Sequence, residues 1–374
     1  MGIKILSIFG TRPEAIKMLP LVKQIDATDG LESLVCVTAQ HREMLDQIME
    51  VFEVTADWDL DLMRSGQTLT SITADVITEL NKIFAGYRPD LVLVHGDTTT
   101  GFASALAAFY QQIPVGHVEA GLRTYNIYSP FPEEANRSLI ARISNLHFVP
   151  TDLNTDNLLK ENISKNVYKT GNTVIDAFAT TVQENYVFKN NDLKELDFAS
   201  KRTILLTAHR RENLGKPLEN IFSAVLELAQ EFSDVQFIYP VHRNPAVFNT
   251  AHEILGNHSR IHLLDPVCVE DMHNLMNQSY LVLTDSGGLQ EEAPALGKPV
   301  LVMRTETERP EAVDAGVARI VGVEARDIVD AVRLLLTDEE EYSQMSRAIN
   351  PYGDGHASKR ICEAIISYFD NREL

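Results

Sequence analysis

The chain is short of several things that would place it in a class at once. Its 374 residues include only three cysteines, Cys36, Cys268 and Cys362, and no CxxC. That excludes a disulfide framework and a thiolate zinc site, and it suits a reducing compartment. No run approaches the ~18 apolar residues that a membrane span requires. The opening MGIKILSIFGTRPE is apolar too briefly for a signal peptide, and Leu6 stands where myristoylation wants Ser or Thr. Positive charge is scarce: 33 Lys and Arg against 53 Asp and Glu leave a net charge of −20. Such a field opposes nucleic acid and anionic membrane surfaces, so a soluble, cytoplasmic protein that binds neither is expected. No HExxH occurs, and no His/Asp spacing suggests a metal. No GxGxxG follows a strand, so neither a metal nor a firmly bound dinucleotide cofactor is expected. An anionic ligand would need a local cluster of Arg, Lys and His working against the global charge.

What is present is a regular alternation. Apolar residues make up 44%, as in globular proteins, and the length exceeds the roughly 250–300 residues of a single core, so two domains are expected. The runs KILSIF, SLVCV, LVLV, VGHV, HFV and VYKT, then TILLT, VQFIYP, IHLL, YLVLT, PVLVM and VARIVG, read as strands separated by helix-length amphipathic stretches. Mostly apolar on both faces, they suit covered parallel sheets in an α/β protein. The stretch LVLVHGDTTTGFASALAAFYQQIPVGHV echoes YLVLTDSGGLQEEAPALGKPVLVM: strand, Asp, small polar residues, helix, Pro-Val strand. KILSIFGTRPEAIKMLPLV likewise echoes TILLTAHRRENLGKPLENI. Two Rossmann-like, doubly wound halves are expected, facing a central cleft, with the polar stretch 172–202 carrying the crossover. Ligands of such sheets sit beyond the carboxyl ends of the strands.

Two apolar runs stop at an acid there, Asp97 and Glu119. Asp97 could instead begin a helix cap with Thr98 to Thr100. Glu119 has no such alternative, because residues 120–132 follow it without any periodic pattern, and loops of that length are usually functional. Glu133 and Glu134 then open a helix, where they serve either the helix dipole or a third acidic role. In the second half Ser286, Gly287 and Gly288 precede a helix, a phosphate cradle by geometry and dipole. Glu292 could accept from ribose hydroxyls, or be a solvated helix residue. Arg12 and Lys17 follow the first strand, and His209 with Arg210 follows the equivalent strand of the second half, which reads as an anion clamp.

The motifs FGTRPEAIKM, VHGDTTT, PVGHVEAGLRT, PEEANR, GNTVID, HRREN, TDSGGLQEEAPALGKPVLVMR, TERPEAV and NPYGDG, spread in order from residue 3 to about 365, resemble the non-hydrolysing UDP-N-acetylglucosamine 2-epimerases of bacteria. The resemblance implies a glycosyltransferase-B-like fold, with residues 1–171 forming the first domain and 172–354 the UDP-binding second. A C-terminal helix, 355–374, would return to the first domain, and the protein would be a homodimer. It implies interconversion of UDP-N-acetylglucosamine and UDP-N-acetylmannosamine for cell-surface polysaccharide synthesis. The family's catalytic acids fall on Asp97, Glu119 and Glu133, and His209 falls near the leaving phosphate. UDP contacts fall on Arg12, Lys17, Met272, Ser286, Gly287, Gly288, Glu292 and Arg309. Met272 and Val267 depart from the residues that relatives often carry around uracil. A second nucleotide-sugar site would draw on Gln40, Glu43 and His242. Glu43, and Gly66 before Gln67, replace a Gln and an Arg of the substrate-activated members, so weak or absent activation is expected. Clustered carboxylates repel one another, so one catalytic acid should hold a proton at neutral pH. The competing readings are a glycosyltransferase of the same fold, a non-enzymatic UDP-sugar sensor and a hydrolysing epimerase.

Overall fold

The structure is a computed structural model that describes residues 2–38, 42–62, 64 and 66–371, with the side chains of 42–44 left out. Two compact units emerge, one built from residues 1–180 and 352–374, the other from 181–351. Each is a wholly parallel sheet wrapped by helices. The first contains β1 (Ile3–Phe9), β2 (Leu31–Val37), β3 (Trp58–Asp59), β4 (Leu91–His95), β5 (Val115–Val118), β6 (Leu146–Val149) and β7 (Val167–Lys169), in the order β3-β2-β1-β4-β5-β6-β7. The second contains β8 (Arg202–Thr207), β9 (Val235–Pro240), β10 (Ile261–Leu264), β11 (Leu281–Thr284), β12 (Val300–Val302) and β13 (Ala318–Ile320), in the order β10-β9-β8-β11-β12-β13.

The two orders superimpose strand for strand, β1 on β8 and β4 on β11, which is the geometric content of the internal echo. Every residue of β4 and β5 is buried, so both faces are covered, as their unbroken apolar character requires. The first core gathers Leu6, Ile8, Val92 and Val94 under the helices Leu69–Gly86 and Thr99–Tyr110. The second gathers Leu206, Phe237, Leu283 and Leu301 with Phe222 and Val332.

The expected divide at 171/172 and 354/355 differs from the observed one at 180/181 and 351/352. The reason is a set of hydrogen bonds that no local pattern reveals. Asn172 N–H donates to Tyr352 O at 2.6 Å. The carboxylate of Asp176 accepts from the amides of Ala357 (3.1 Å) and Ser358 (2.7 Å), capping the helix Ala357–Asp370. That helix packs on the helices Arg12–Asp26 and Thr173–Asp176 of the first unit. At the crossing of the two segments Gly171 has φ 90°, and a Cβ there would lie 3.2 Å from Gly353 Cα. Only glycine fits both demands.

Candidate active site

The carboxyl edge of the first sheet is built by its turns. β1 runs into Gly10 and Thr11, and Glu14, one turn into the helix Arg12–Asp26, folds back on them. Its Oε2 accepts from Gly10 N (3.1 Å), Thr11 N (2.8 Å) and Thr11 Oγ1 (2.8 Å), a capping box that fixes where Arg12 starts the helix. Thr98 Oγ1 donates to Glu14 Oε1 at 2.6 Å and accepts from Gly101 N at 2.9 Å. Thr98 is therefore the cap of the helix Thr99–Tyr110, and Asp97 is not. Asp97 Oδ2 instead accepts from Arg137 Nε (2.9 Å) and Nη2 (2.6 Å), while Asn136 Nδ2 holds its backbone carbonyl at 2.8 Å. Arg137 is in turn braced by Glu134, at 3.2 Å from Nη1. The two acids that open the helix Glu133–Ile143 thus have different duties. Glu134 is buried and holds Arg137 and the amide of Tyr125. Glu133 Oε2 is buried with no hydrogen-bond partner among the described residues.

Glu119, one residue beyond β5, has φ 59°, a left-handed conformation that costs a non-glycine residue free energy and is usual at functional sites. Its Oε2 pairs with Lys17 Nζ, accepts from Asn172 Nδ2 at 3.0 Å, and lies 3.4 Å from His95 Nε2. Burial by itself would push the carboxyl up, yet the charge of Lys17, then that of His95, holds it well below the usual range. Glu119 is an anion at neutral pH, so it is not the protonated acid that clustering led one to expect. Lys17, read from sequence as a phosphate ligand, is engaged with this acid.

In the second unit the strand-end acid is Asp285, fully buried after β11. Its Oδ2 accepts from His209 N (2.8 Å), Arg210 N (2.9 Å) and Asn213 Nδ2 (3.1 Å), and its Oδ1 lies 3.4 Å from His209 Nδ1. Burial lowers the pKa of His209; Asp285 offsets this, while His242 and Arg210 add to it. His209 is accordingly a neutral hydrogen-bonding ring at pH 7, and the cationic part of the clamp falls to its neighbour. A Cβ on Gly287 would lie 3.5 Å from Arg210 Nη2. Gly288 has φ −63°, so glycine serves there by lacking a side chain and not by adopting a special backbone. Ser286 and these glycines lead into the helix Leu289–Ala295, whose first amides have no partner within the helix.

Arg309 Nε donates to Glu291, and Thr307 Oγ1 bridges from Arg309 N (3.1 Å) to Gln290 Oε1 (2.6 Å). Glu292 Oε2 lies 3.6 Å from His273 Nε2, whose Nδ1 meets Thr181 Oγ1 at 2.7 Å. Met272 is half-buried on the helix Val269–Gln278. Exposed His242 stacks on His209 with centroids 5.4 Å apart and planes at 12°. Gln40 lies outside the described residues, and Glu43 is placed only by its backbone on the helix Arg42–Val51. Gly66 takes φ 79°, a turn that an Arg would strain.

Two contacts join expected residues within a unit, Lys17 with Glu119 in the first and His209 with His242 in the second, while Asp97 is held by Arg137 and Glu133 Oε2 has no partner among the described residues. The sequence reading missed Glu14, His95, Arg137, Asn172 and Asp285, all of which act on the expected residues. Among the described residues no group of three or more His, Cys, Asp or Glu is placed to hold a metal ion, and no helix is long and apolar enough to cross a membrane.

Residues 23–366 match the family of UDP-N-acetylglucosamine 2-epimerases. The UDP-N-acetylglucosamine 2-epimerase of Bacillus subtilis is 52% identical over 372 residues, covering 99% of this chain and 97% of its own. The MnaA–UDP structure from S. aureus is 53% identical with a TM-score of 0.87, over 98% of this chain and 97% of that one. The UDP-GlcNAc 2-epimerase of Neisseria meningitidis, solved bound to UDP-GlcNAc, is 47% identical with a TM-score of 0.87, over 97% and 100%. The glycosyltransferase of kitacinnamycin, 11% identical with a TM-score of 0.67 over 98% and 99%, shares the fold alone, which is glycosyltransferase-B-like. With this match along nearly its whole length, and with relatives matched end to end, the chain belongs to the bacterial UDP-N-acetylglucosamine 2-epimerases.

Proposed function

We propose that the chain interconverts UDP-N-acetylglucosamine and UDP-N-acetylmannosamine by eliminating UDP and adding it back. The observation that carries this reading is Glu119, a strand-end carboxylate held ionised by Lys17 and His95 and hydrogen-bonded by Asn172. The sugar's C2 hydrogen is not beside a carbonyl, so direct abstraction is prohibitively slow. As the C1–O bond breaks, its electrons leave with UDP and C2–H becomes acidic. A carboxylate takes the proton, the C2–H pair becomes the C1–C2 double bond, and 2-acetamidoglucal results. Protonation of C2 on the other face, with a diphosphate oxygen adding to C1, gives the epimer. Two faces need two acid/base groups, each contributing ~10²–10⁴. Asp97, Glu119 and Glu133 supply them, and Glu119, being ionised, begins as an acceptor.

UDP is held by Arg12, Lys17, Met272, Ser286, Gly287, Gly288, Glu292 and Arg309, with neutral His209 donating to the leaving phosphate. The S. aureus relative solved with UDP and the N. meningitidis relative solved bound to UDP-GlcNAc support this ligand. No cofactor is required. The enzyme works as a homodimer and supplies cell-surface polysaccharide synthesis, and any second nucleotide-sugar site at Gln40, Glu43 and His242 is weak. Incubation with UDP-N-acetylglucosamine in D2O, followed by NMR, tests the reading. Deuterium at C2 of both epimers is expected without added nicotinamide or metal. Epimerisation only with added NAD, or with retained C2 hydrogen, would overturn it.

A further inference from the structure

Glu119 uses its two oxygens unequally. Oε2 receives Lys17, Asn172 Nδ2 at 3.0 Å and the approach of His95 at 3.4 Å. Oε1 takes no hydrogen bond among the described residues, and the side chain keeps 14% of its surface exposed. We propose that Asn172 is a positioning residue for the epimerisation: by committing Oε2, it presents Oε1 as the atom that accepts the C2 proton. This rests on the reading of Glu119 as one of the two acid/base groups.

Of the groups on Oε2, Asn172 is the one whose orientation is dictated from every side. It is 3% exposed. Its Oδ1 accepts from Val174 N at 3.1 Å, capping the helix Thr173–Asp176, and its own N–H donates to Tyr352 O at 2.6 Å. With the amide oxygen occupied by the cap, only the NH₂ can face the carboxylate; a flipped amide would set oxygen against oxygen and lose the cap as well. Lys17, reaching in from the helix Arg12–Asp26, is by contrast a charge on a flexible stem. His95, at the end of β4, is near Oε2 without bonding it. Lys17 and His95 favour the anion, and Asn172 decides which of its oxygens is left over. In the step itself the C2 proton passes to Oε1, the C2–H electrons form the double bond, and the C1–O electrons depart with UDP.

Asn172→Asp is the informative variant. It keeps an oxygen for the cap at Val174 but sets a second acceptor, with charge, against Oε2. Turnover should fall ~10- to 100-fold, as for a displaced catalytic group, with KM and UDP affinity changed by less than about threefold. Losing a donor and gaining a like charge raises the pKa of Glu119. The acid limb of the kcat profile, where the base is lost to protonation, should therefore move to higher pH. Asn172→Ser keeps a capping hydroxyl too short to reach Glu119, and it should show the same loss of kcat with a smaller shift of the limb. Either variant, folded and with wild-type kcat and an unmoved acid limb, overturns the proposal. Failure of both to fold also overturns it, since Asn172 would then serve the fold. Glu119→Gln is the control: if it keeps normal turnover, the underlying reading of Glu119 fails instead.

Discussion

Asp97 and Asp285 both follow strands that lie beside β1 and β8 respectively, Asp97 two residues beyond β4 and Asp285 directly beyond β11. Their uses are opposite. Asp285 is wholly buried and spends Oδ2 on the amides of His209 and Arg210, so it holds the turn after β8 closed. In the first unit the equivalent amides, Gly10 and Thr11, are held by Glu14 from the helix that follows. Asp97 is thereby released from that task, and its side chain stays 27% exposed beside Arg137. A strand-end acid is available for chemistry only where another group satisfies the turn.

The strongest way to break this contrast is to neutralise both acids. Asp97→Asn should lower kcat by ~10²-fold or more. It should change unfolding free energy by no more than ~1 kcal/mol, because Arg137 keeps Glu134 as a partner. Asp285→Asn should do the reverse, costing ~2–3 kcal/mol as charge-assisted bonds to buried donors weaken, with activity lost through His209. Parallel melting curves and initial rates would decide. An Asp285→Asn protein as stable as wild type, or a markedly unstable Asp97→Asn, would end the distinction.

The turns themselves offer a smaller test. A Cβ on Gly10 would lie 2.1 Å from Thr38 Oγ1 and 3.2 Å from Thr100 Oγ1, inside a packed edge. Gly10→Ala should therefore cost ~1–3 kcal/mol by overpacking. On Gly287 the nearest atom is the mobile end of Arg210 at 3.5 Å. Gly287→Ala should alter stability by less than ~0.5 kcal/mol, yet weaken UDP binding about tenfold if backbone approaches phosphate there. Calorimetry with UDP, beside thermal melts, separates the two; equal stability losses would remove the difference between the turns.

The strand pattern was readable because covered parallel strands are apolar end to end; only β3 escaped, being the two residues Trp58 and Asp59. Asp97 and Glu119 were readable because a carboxylate is out of place at the tip of such a run. What escaped depends on partners far away in sequence. Asn172 reaches Glu119 across 53 positions, Asp285 reaches His209 across 76, and Lys17 meets Glu119 across 102. For the same reason the ionised state of Glu119 and the neutral state of His209 were not foreseen. Burial and tertiary charges set both, and neither leaves a local pattern.

The last contrast is silent at neutral pH and emerges only in acid. In the first unit burial pushes His117 down to about 3 and His147 down to about 4, from an ordinary value of 6.5. Their folded values lie below the unfolded one. The stability they carry is thus complete above pH ~6.5 and is lost as pH falls toward the folded values, because the unfolded chain binds protons that the fold refuses. Glu119 acts later, since its window opens only below an unfolded value of 4.5. At pH 5 these two histidines should therefore have weakened the first unit before Glu119 contributes. His147 is the one to remove: it is 2% exposed, and its Nδ1 has no hydrogen-bond partner among the described residues, whereas His117 Nε2 bonds Gly96 O at 2.7 Å. His147→Phe should leave stability at pH 7 nearly unchanged and recover about 2 kcal/mol at pH 5, from about 1.5 units at 1.36 kcal/mol each. Amide exchange in β5 and β6, compared with β8 and β9 at both pH values and corrected for intrinsic rates, would show it. If β5 and β6 lost no protection between pH 7 and 5, these rings would not be held neutral by burial.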